Sequence, residues 1–173
     1  MTLNAVKKYR NTTFLQYIKN DANRLIDLGL IKDSSESNNQ NLNVSNDEAW
    51  LKYIHQKKQY LNILVGRGLY SLQLRQWFRY FPKSSFLFLN YDDLNKKDGA
   101  ILLFNKVIEF LGLKEFQLYS KIAKRYNKGD YSNYTLDSAT KKMVHDMYEP
   151  YNRELSSLLG PEWKGVWEYN DDI

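Results

Sequence analysis

The chain has 173 residues, with 25 lysines and arginines against 20 aspartates and glutamates, two histidines and no cysteine. That length and a 43% hydrophobic content fit one soluble globular domain with its own core, while zero cysteines exclude disulfides, thiolate metal sites and a cysteine nucleophile. His55 and His145 leave little for zinc or a histidine-based triad, no apolar run reaches the ~20 residues that span a bilayer, and the first residues lack the apolar core of a signal peptide.

In chain order, Phe14, Tyr17, Ile18, Leu25 and Leu28 recur at helical spacing, which predicts an amphipathic helix over 14–31 with Gly29 near its end. Residues 33–46 are rich in Ser and Asn and too poor in apolar side chains to form a core, so they read as a flexible surface insertion. A second helix is predicted from Asp47 onward, until Gly66-Arg67-Gly68 breaks the pattern. That turn has two readings. Its backbone N–H groups and arginine suit an anion, and its glycines equally suit a close approach of neighbouring groups to the backbone.

Leu74, Trp77, Phe78 and Phe81 fall at i, i+3, i+4 and i+7, which predicts the buried face of a helix running from Gly68 to Phe81. Arg75 and Arg79 sit one turn apart on another face, and Pro82 ends the helix. Ser85 to Tyr91, short and aromatic, reads as a buried strand, with Asp92 and Asp93 capping the turn after it rather than acting as a catalytic pair. Gly99 to Leu111 is apolar nearly all round, with Ile101, Phe104, Ile108 and Leu111 on one stripe and Gly112 as a C-terminal cap. Residues 116–135 are basic, aromatic and turn-rich, and read as a surface loop. A long helix follows from about Leu136, expected to break at Pro150 and end at Gly160. Helix, strand, helix implies an α/β layer.

Charge is unevenly placed. No Asp or Glu occurs between Ala49 and Tyr91, a stretch that holds Lys52, Lys57, Lys58, Arg67, Arg75, Arg79 and Lys83, and a second basic cluster comprises Lys121, Lys124, Arg125 and Lys128. Such asymmetry favours an anionic ligand: a phosphate, a sulfate, an acidic sugar or nucleic acid. Solvated surface lysines explain acid exclusion of that length less well. No nucleic-acid-binding signature is present, so no nucleic-acid partner is expected. A Walker loop and a full GxGxxG are also absent. Lys128-Gly129 suits an anion clamp or an ordinary turn, and His145 reads as a surface or partly buried histidine rather than a base.

The runs GRGLYSLQLRQWFRYFPKSSFLFLNYDDL, IEFLGL, NKGDY and MYEPYNRELSSLLGPEWKGVW, in that order, resemble the C-terminal half of a carbohydrate-type sulfotransferase. The similarity is greatest to heparan sulfate sulfotransferases and their algal and bacterial relatives. It implies a P-loop-like α/β fold and a sulfuryl donor, 3′-phosphoadenosine 5′-phosphosulfate (PAPS). The group moves in line to a hydroxyl or amine of an acceptor, expected to be a carbohydrate. Carried over by position, Lys128 and Gly129 would contact the donor, although Asp130 stands where the family often has arginine. Arg67 would join them at the donor, and Tyr70 would lie on the acceptor side. Trp77, Phe81, Tyr148, Pro150, Asn152 and Trp163 match as structural landmarks.

No position is assigned as catalytic. The family's phosphosulfate loop, typically Lys-x-Gly-Thr, is not found in the first 66 residues, nor are its acid/base residue and the Arg and Ser for the 3′-phosphate. The expectation is therefore a single partial domain over 1–173, matching best over 66–173. It should be mostly helical with few strands and should not turn over alone. The alternative is a non-catalytic anion- or glycan-binding module derived from a sulfotransferase. The compartment stays open: cytoplasmic as the chain is written, Golgi lumen for relatives with an N-terminal anchor.

Overall fold

A computed structural model describes residues 14–32, 47–55, 65–114 and 136–168. The helices are α1 (Phe14–Asp27), α2 (Asp47–His55), α3 (Tyr70–Phe78), α4 (Gly99–Phe110) and α5 (Ser138–Leu159). Short 3₁₀ turns lie at Gly66–Gly68, Lys83–Ser85, Tyr91–Asn95 and Pro161–Trp163. The chain divides into two compact units, one formed by Met1–Tyr80 with Leu136–Ile173 and the other by Phe81–Thr135. None of the described helices is long and apolar enough to cross a membrane. The Ser/Asn-rich insertion at 33–46 and the basic loop at 116–135, with Lys128 and Gly129, lie outside the described residues.

In the first unit, α1 buries Ile18, Asp21, Ala22 and Leu25, positions i, i+3, i+4 and i+7 of one helical face. The helix closes as its glycine predicts. Gly29 takes φ 68°, Gly29 N–H donates to the Ile26 carbonyl and Leu30 N–H to the Leu25 carbonyl, both at 2.8 Å. This is a Schellman closure, in which a left-handed glycine satisfies carbonyls that the helix end would leave bare. Leu30 and Ile31 then turn back into the core.

Helix α2 contributes Ala49, Trp50 and Tyr53, the last two stacked with ring centroids 5.5 Å apart. Asp47 and Glu48 in its first turn suit the positive end of the helix dipole. From α5, Tyr151, Leu155 and Leu159 are buried, while Met143, Val144, Met147 and Tyr148 cover the core's edge. Asp137 caps α5 by accepting from the Thr140 N–H at 2.9 Å.

Two expectations fail in this unit. The inward face of α3 is not the Leu74, Trp77, Phe78, Phe81 stripe: Ser71 and Leu72 are buried and Trp77 is 54% exposed. The cause is electrostatic. Arg75 and Arg79 find carboxylates on α2 and α5, with Arg75 bonded to Asp47 at 2.5 Å and to Glu154 at 3.1 Å, and Arg79 to the other oxygen of Asp47. A helix that satisfies these pairs turns Arg75 inward and leaves Arg79 half-exposed at the edge. The break expected at Pro150 is also absent, since α5 runs through it without interruption. Proline removes one N–H and crowds the carbonyl four residues back. The turn beyond it is nevertheless fixed by Tyr151, 1% exposed, whose hydroxyl donates to the Leu30 carbonyl.

The second unit corrects the strand. Residues 86–90 run between two 3₁₀ turns and, among the described residues, no β-strand forms. Phe86 and Asn90 have extended backbone angles, but a strand also needs a paired neighbour, which local apolar patterning does not supply. The α/β layer expected from the sequence is therefore a helical arrangement over the described residues. Phe86 instead meets Phe81 edge-on at 6.4 Å and stacks with Phe88 at 6.0 Å. The turn after this segment is capped by Asn90, whose Oδ1 accepts from the Asp92 N–H at 3.0 Å, rather than by the two aspartates.

Helix α4 closes on Gly112 (φ 63°), with Gly112 N–H donating to Glu109 O and Leu113 N–H to Ile108 O, as the glycine predicts. Its buried positions are Gly99 and Leu103, whereas Ile101 and Leu111 are exposed. A helix apolar on nearly every side carries no periodic signal to say which side turns inward.

Candidate functional site: the Arg67 cleft

The site is organised by a buried carboxylate. Asp21 projects from the apolar face of α1 and is 1% exposed. One of its oxygens accepts from the Tyr53 hydroxyl at 2.8 Å. The other accepts from the backbone N–H groups of Val65 at 2.7 Å and Gly66 at 3.3 Å. A buried carboxylate is tolerable only when its oxygens are satisfied in this way.

The turn at Gly66–Gly68 is thereby anchored from below, and tyrosines hold it from the sides. A Cβ on Gly66 would clash with Oη, Cε1 and Cζ of Tyr53, and one on Gly68 would lie 2.6 Å from Cε1 of Tyr148. The Tyr148 hydroxyl donates to the Val65 carbonyl at 3.0 Å, and Gln73 Nε2 donates to the Arg67 carbonyl at 2.9 Å. Burial raises the Tyr53 hydroxyl well above its ordinary pKa, and its hydrogen bond to Asp21 adds to the effect. Burial likewise pushes Tyr148 up to about 12. Both stay protonated donors at neutral pH.

This geometry separates the two readings of Gly66-Arg67-Gly68. The glycines serve close approach by Tyr53 and Tyr148. The N–H groups of Val65 and Gly66 already hold an anion, and it is Asp21. An external anion at this turn would therefore be met by the Arg67 side chain, not by those amides.

Arg67 is exposed on the turn and lines a cleft of about 340 Å³. Trp50, Ile54 and Trp77 form its apolar side, and Gln73 and Gln76 contribute amides. Every lining residue comes from the acid-free stretch between Ala49 and Tyr91, and no carboxylate lines the cleft among the described residues. The nearby acids have other work: Asp21 holds the turn, and Asp47 and Glu154 bind Arg75 and Arg79. A low-dielectric wall with a guanidinium, lined by no carboxylate among the described residues, favours an anion.

A larger cleft of about 600 Å³ lies along the outer side of α5. It carries Glu149 and Glu168 together with Arg153 and Lys164, and Glu149 is already bonded to Arg153. Balanced charges give it no preference for an anion.

Of the residues singled out in the sequence, Arg67 stands in the smaller cleft. Tyr70 opens α3 and is 56% exposed, but is not among that cleft's lining. Lys128 and Gly129 lie outside the described residues. His145 is partly buried and lines the larger cleft, with Nδ1 3.3 Å from Asp146. Sequence reasoning missed Asp21, Gln73 and Gln76. One signal for Asp21 was available: an acid placed on the Ile18, Ala22, Leu25 stripe is inconsistent with a purely apolar face.

Comparison with curated proteins and with solved structures gives no significant match. The model of the sulfotransferase domain family matches residues 30–162, well over half of the chain and inclusive of the turn, the cleft and all of α5. The chain belongs to the sulfotransferase domain family.

Proposed function

We propose that this protein transfers a sulfuryl group from PAPS to a hydroxyl or amine of a carbohydrate acceptor. In this reading Arg67 and the Lys128-Gly129 pair hold the donor's anionic groups, and Tyr70 lies on the acceptor side. The observation that supports it is Arg67 displayed on a braced turn, in a cleft with no lining carboxylate among the described residues. Family membership supplies the reaction class.

The donor, when bound, supplies an activated sulfuryl group: its phosphosulfate S–O bond breaks as the acceptor oxygen or nitrogen forms a new bond to sulfur, and the acceptor's proton leaves to a base. Arg67 has a defined task in such chemistry. A guanidinium presents several N–H donors in a fixed plane, matches a phosphate bidentately and stays charged at any working pH. Held on a turn that need not reorganise, it stabilises charge as it grows on the leaving phosphate. Tyr70, exposed at the first turn of α3, offers a hydroxyl and an aromatic face to an acceptor.

Titration with 3′-phosphoadenosine 5′-phosphate, run beside transfer of labelled sulfate from PAPS to a panel of glycan acceptors, tests this. Because the chain is not expected to turn over alone, the expected result is nucleotide binding that weakens at least about tenfold in Arg67→Ala, the scale of one lost charge-assisted contact. Absence of transfer to every acceptor by a folded protein that also fails to bind 3′-phosphoadenosine 5′-phosphate would overturn it.

A further inference from the structure

Gln76, a lining residue of the Arg67 cleft, carries a hydrogen-bond donor with nothing to bond. Gln76 Nε2 is buried and has no partner, although its residue lines the cleft. The other end of the same amide is engaged: Oε1 accepts from Nη1 of Arg79 at 3.4 Å. Arg79 is itself held by Asp47. Flipping the amide would set its NH₂ against a guanidinium, two donors facing each other, so the chain Asp47–Arg79–Gln76 fixes which end is left over. A buried donor without an acceptor costs about 1–3 kcal/mol, a cost that an arriving ligand oxygen would remove.

We propose that Gln76 is a ligand-contacting residue of this cleft, donating from Nε2 to an oxygen of a phosphate or sulfate ester whose ring lies against Trp77. Arg67 supplies the charge for the ester and Gln76 supplies a neutral donor. Trp77, 54% exposed, supplies a flat apolar wall. Among the described residues, no carboxylate lines the cleft. A volume of about 340 Å³ lies at the low end of what small-molecule sites use, which suits one ring and its ester group rather than a polymer segment. The assignment rests on the reading of Arg67 as an anion ligand. Such an ester reaches the protein from two sources, a phosphorylated nucleotide or a sulfated sugar.

The experiment uses the full chain, labelled with ¹⁵N. The side-chain amide of Gln76 and the indole N–H of Trp77 are followed during titration with 3′-phosphoadenosine 5′-phosphate, with glucosamine 6-sulfate, and with glucosamine as a neutral control. Saturable shifts of the Gln76 amide with at least one ester and not with glucosamine are expected, and the ester that produces them identifies the source. Gln76→Met fills the same space without a donor and should weaken that ester about tenfold, the scale of one hydrogen bond to a charged group. Trp77→Ala, at an exposed position that leaves the core intact, should weaken it as well and serves as the second variant should Gln76→Met fail to fold. No shift with either ester, or unchanged affinity in a folded Gln76→Met or in Trp77→Ala, would overturn the assignment. Sugar sulfate bound at Gln76 by a protein that shows no transfer from PAPS and binds no 3′-phosphoadenosine 5′-phosphate would uphold this assignment and overturn only the proposed reaction.

Discussion

The Asp21 carboxylate and the Val65 amide, 44 residues apart in sequence, meet at 2.7 Å in the interior of the first unit. One side chain on α1 thereby joins α2, through the Tyr53 hydroxyl, to the turn that displays Arg67. The same contact explains why the turn's glycines are there. They admit the tyrosines that flank it, and Asp21 fills the N–H groups that a ligand would otherwise use.

Replacing Asp21 with Leu, which has no acceptor, should therefore destabilise the fold and disturb Arg67 together. The Val65 and Gly66 N–H groups and the Tyr53 hydroxyl all lose their buried acceptor, and the expected loss is about 2–4 kcal/mol. Chemical denaturation would measure it. A loss below about 0.5 kcal/mol, the level of an ordinary surface change, would show that the carboxylate is not the anchor.

Gly66→Ala addresses the close approach directly. The added Cβ clashes with Oη, Cε1 and Cζ of Tyr53, so either the ring or the turn must move. Overpacking of this kind costs about 1–3 kcal/mol. Pairing the substitution with Tyr53→Phe should not rescue it, because the ring carbons, and not only the hydroxyl, occupy the space. Thermal unfolding of the single and double variants distinguishes the two.

Stability should fall at alkaline pH. Tyr148 rises from 10.0 to about 12 on burial, and Tyr53 and Tyr151 shift in the same direction for the same first cause. Between the unfolded and folded values the unfolded chain has released a proton that the folded one keeps, so unfolding gains with every step upward. The contribution is full below about pH 10 and is lost as pH rises through about 12. Melting followed from neutral to strongly alkaline pH should show this decline, with a shallower slope in Tyr148→Phe. An equal slope would contradict the assignment.

Pro150→Ala should raise the melting temperature. Alanine restores an N–H for the Asp146 carbonyl and removes the ring's crowding, a change worth about 1–3 kcal/mol once proline's restriction of the unfolded chain is set against it. A lower melting temperature would mean that α5 uses the proline for a bend on which its contacts depend.

Much of the helical frame is readable from local chemistry. The face of α1 follows from spacing, and Gly29 and Gly112 end their helices where a left-handed residue is required. The unreadable parts depend on partners distant in sequence. Which side of α3 turns inward was decided by Asp47 and Glu154, neither of them in α3. Whether 86–90 becomes a strand depends on a neighbour. Pro150 remains inside a helix because Tyr151 is fixed by Leu30, 121 residues away. At the site, Arg67 and its acid-poor surroundings were visible in the sequence, whereas Asp21 and Gln76 acquired meaning only when the turn, the tyrosines and the Arg79 pair were brought together.

The most direct test is a calorimetric titration of the full chain with 3′-phosphoadenosine 5′-phosphate, the desulfated donor, alongside Arg67→Ala and Lys128→Ala. Saturable binding is expected, weakened at least about tenfold when Arg67 loses its charge and weakened also in Lys128→Ala. A folded protein that binds no nucleotide, or binds it equally well without the Arg67 side chain, would contradict it.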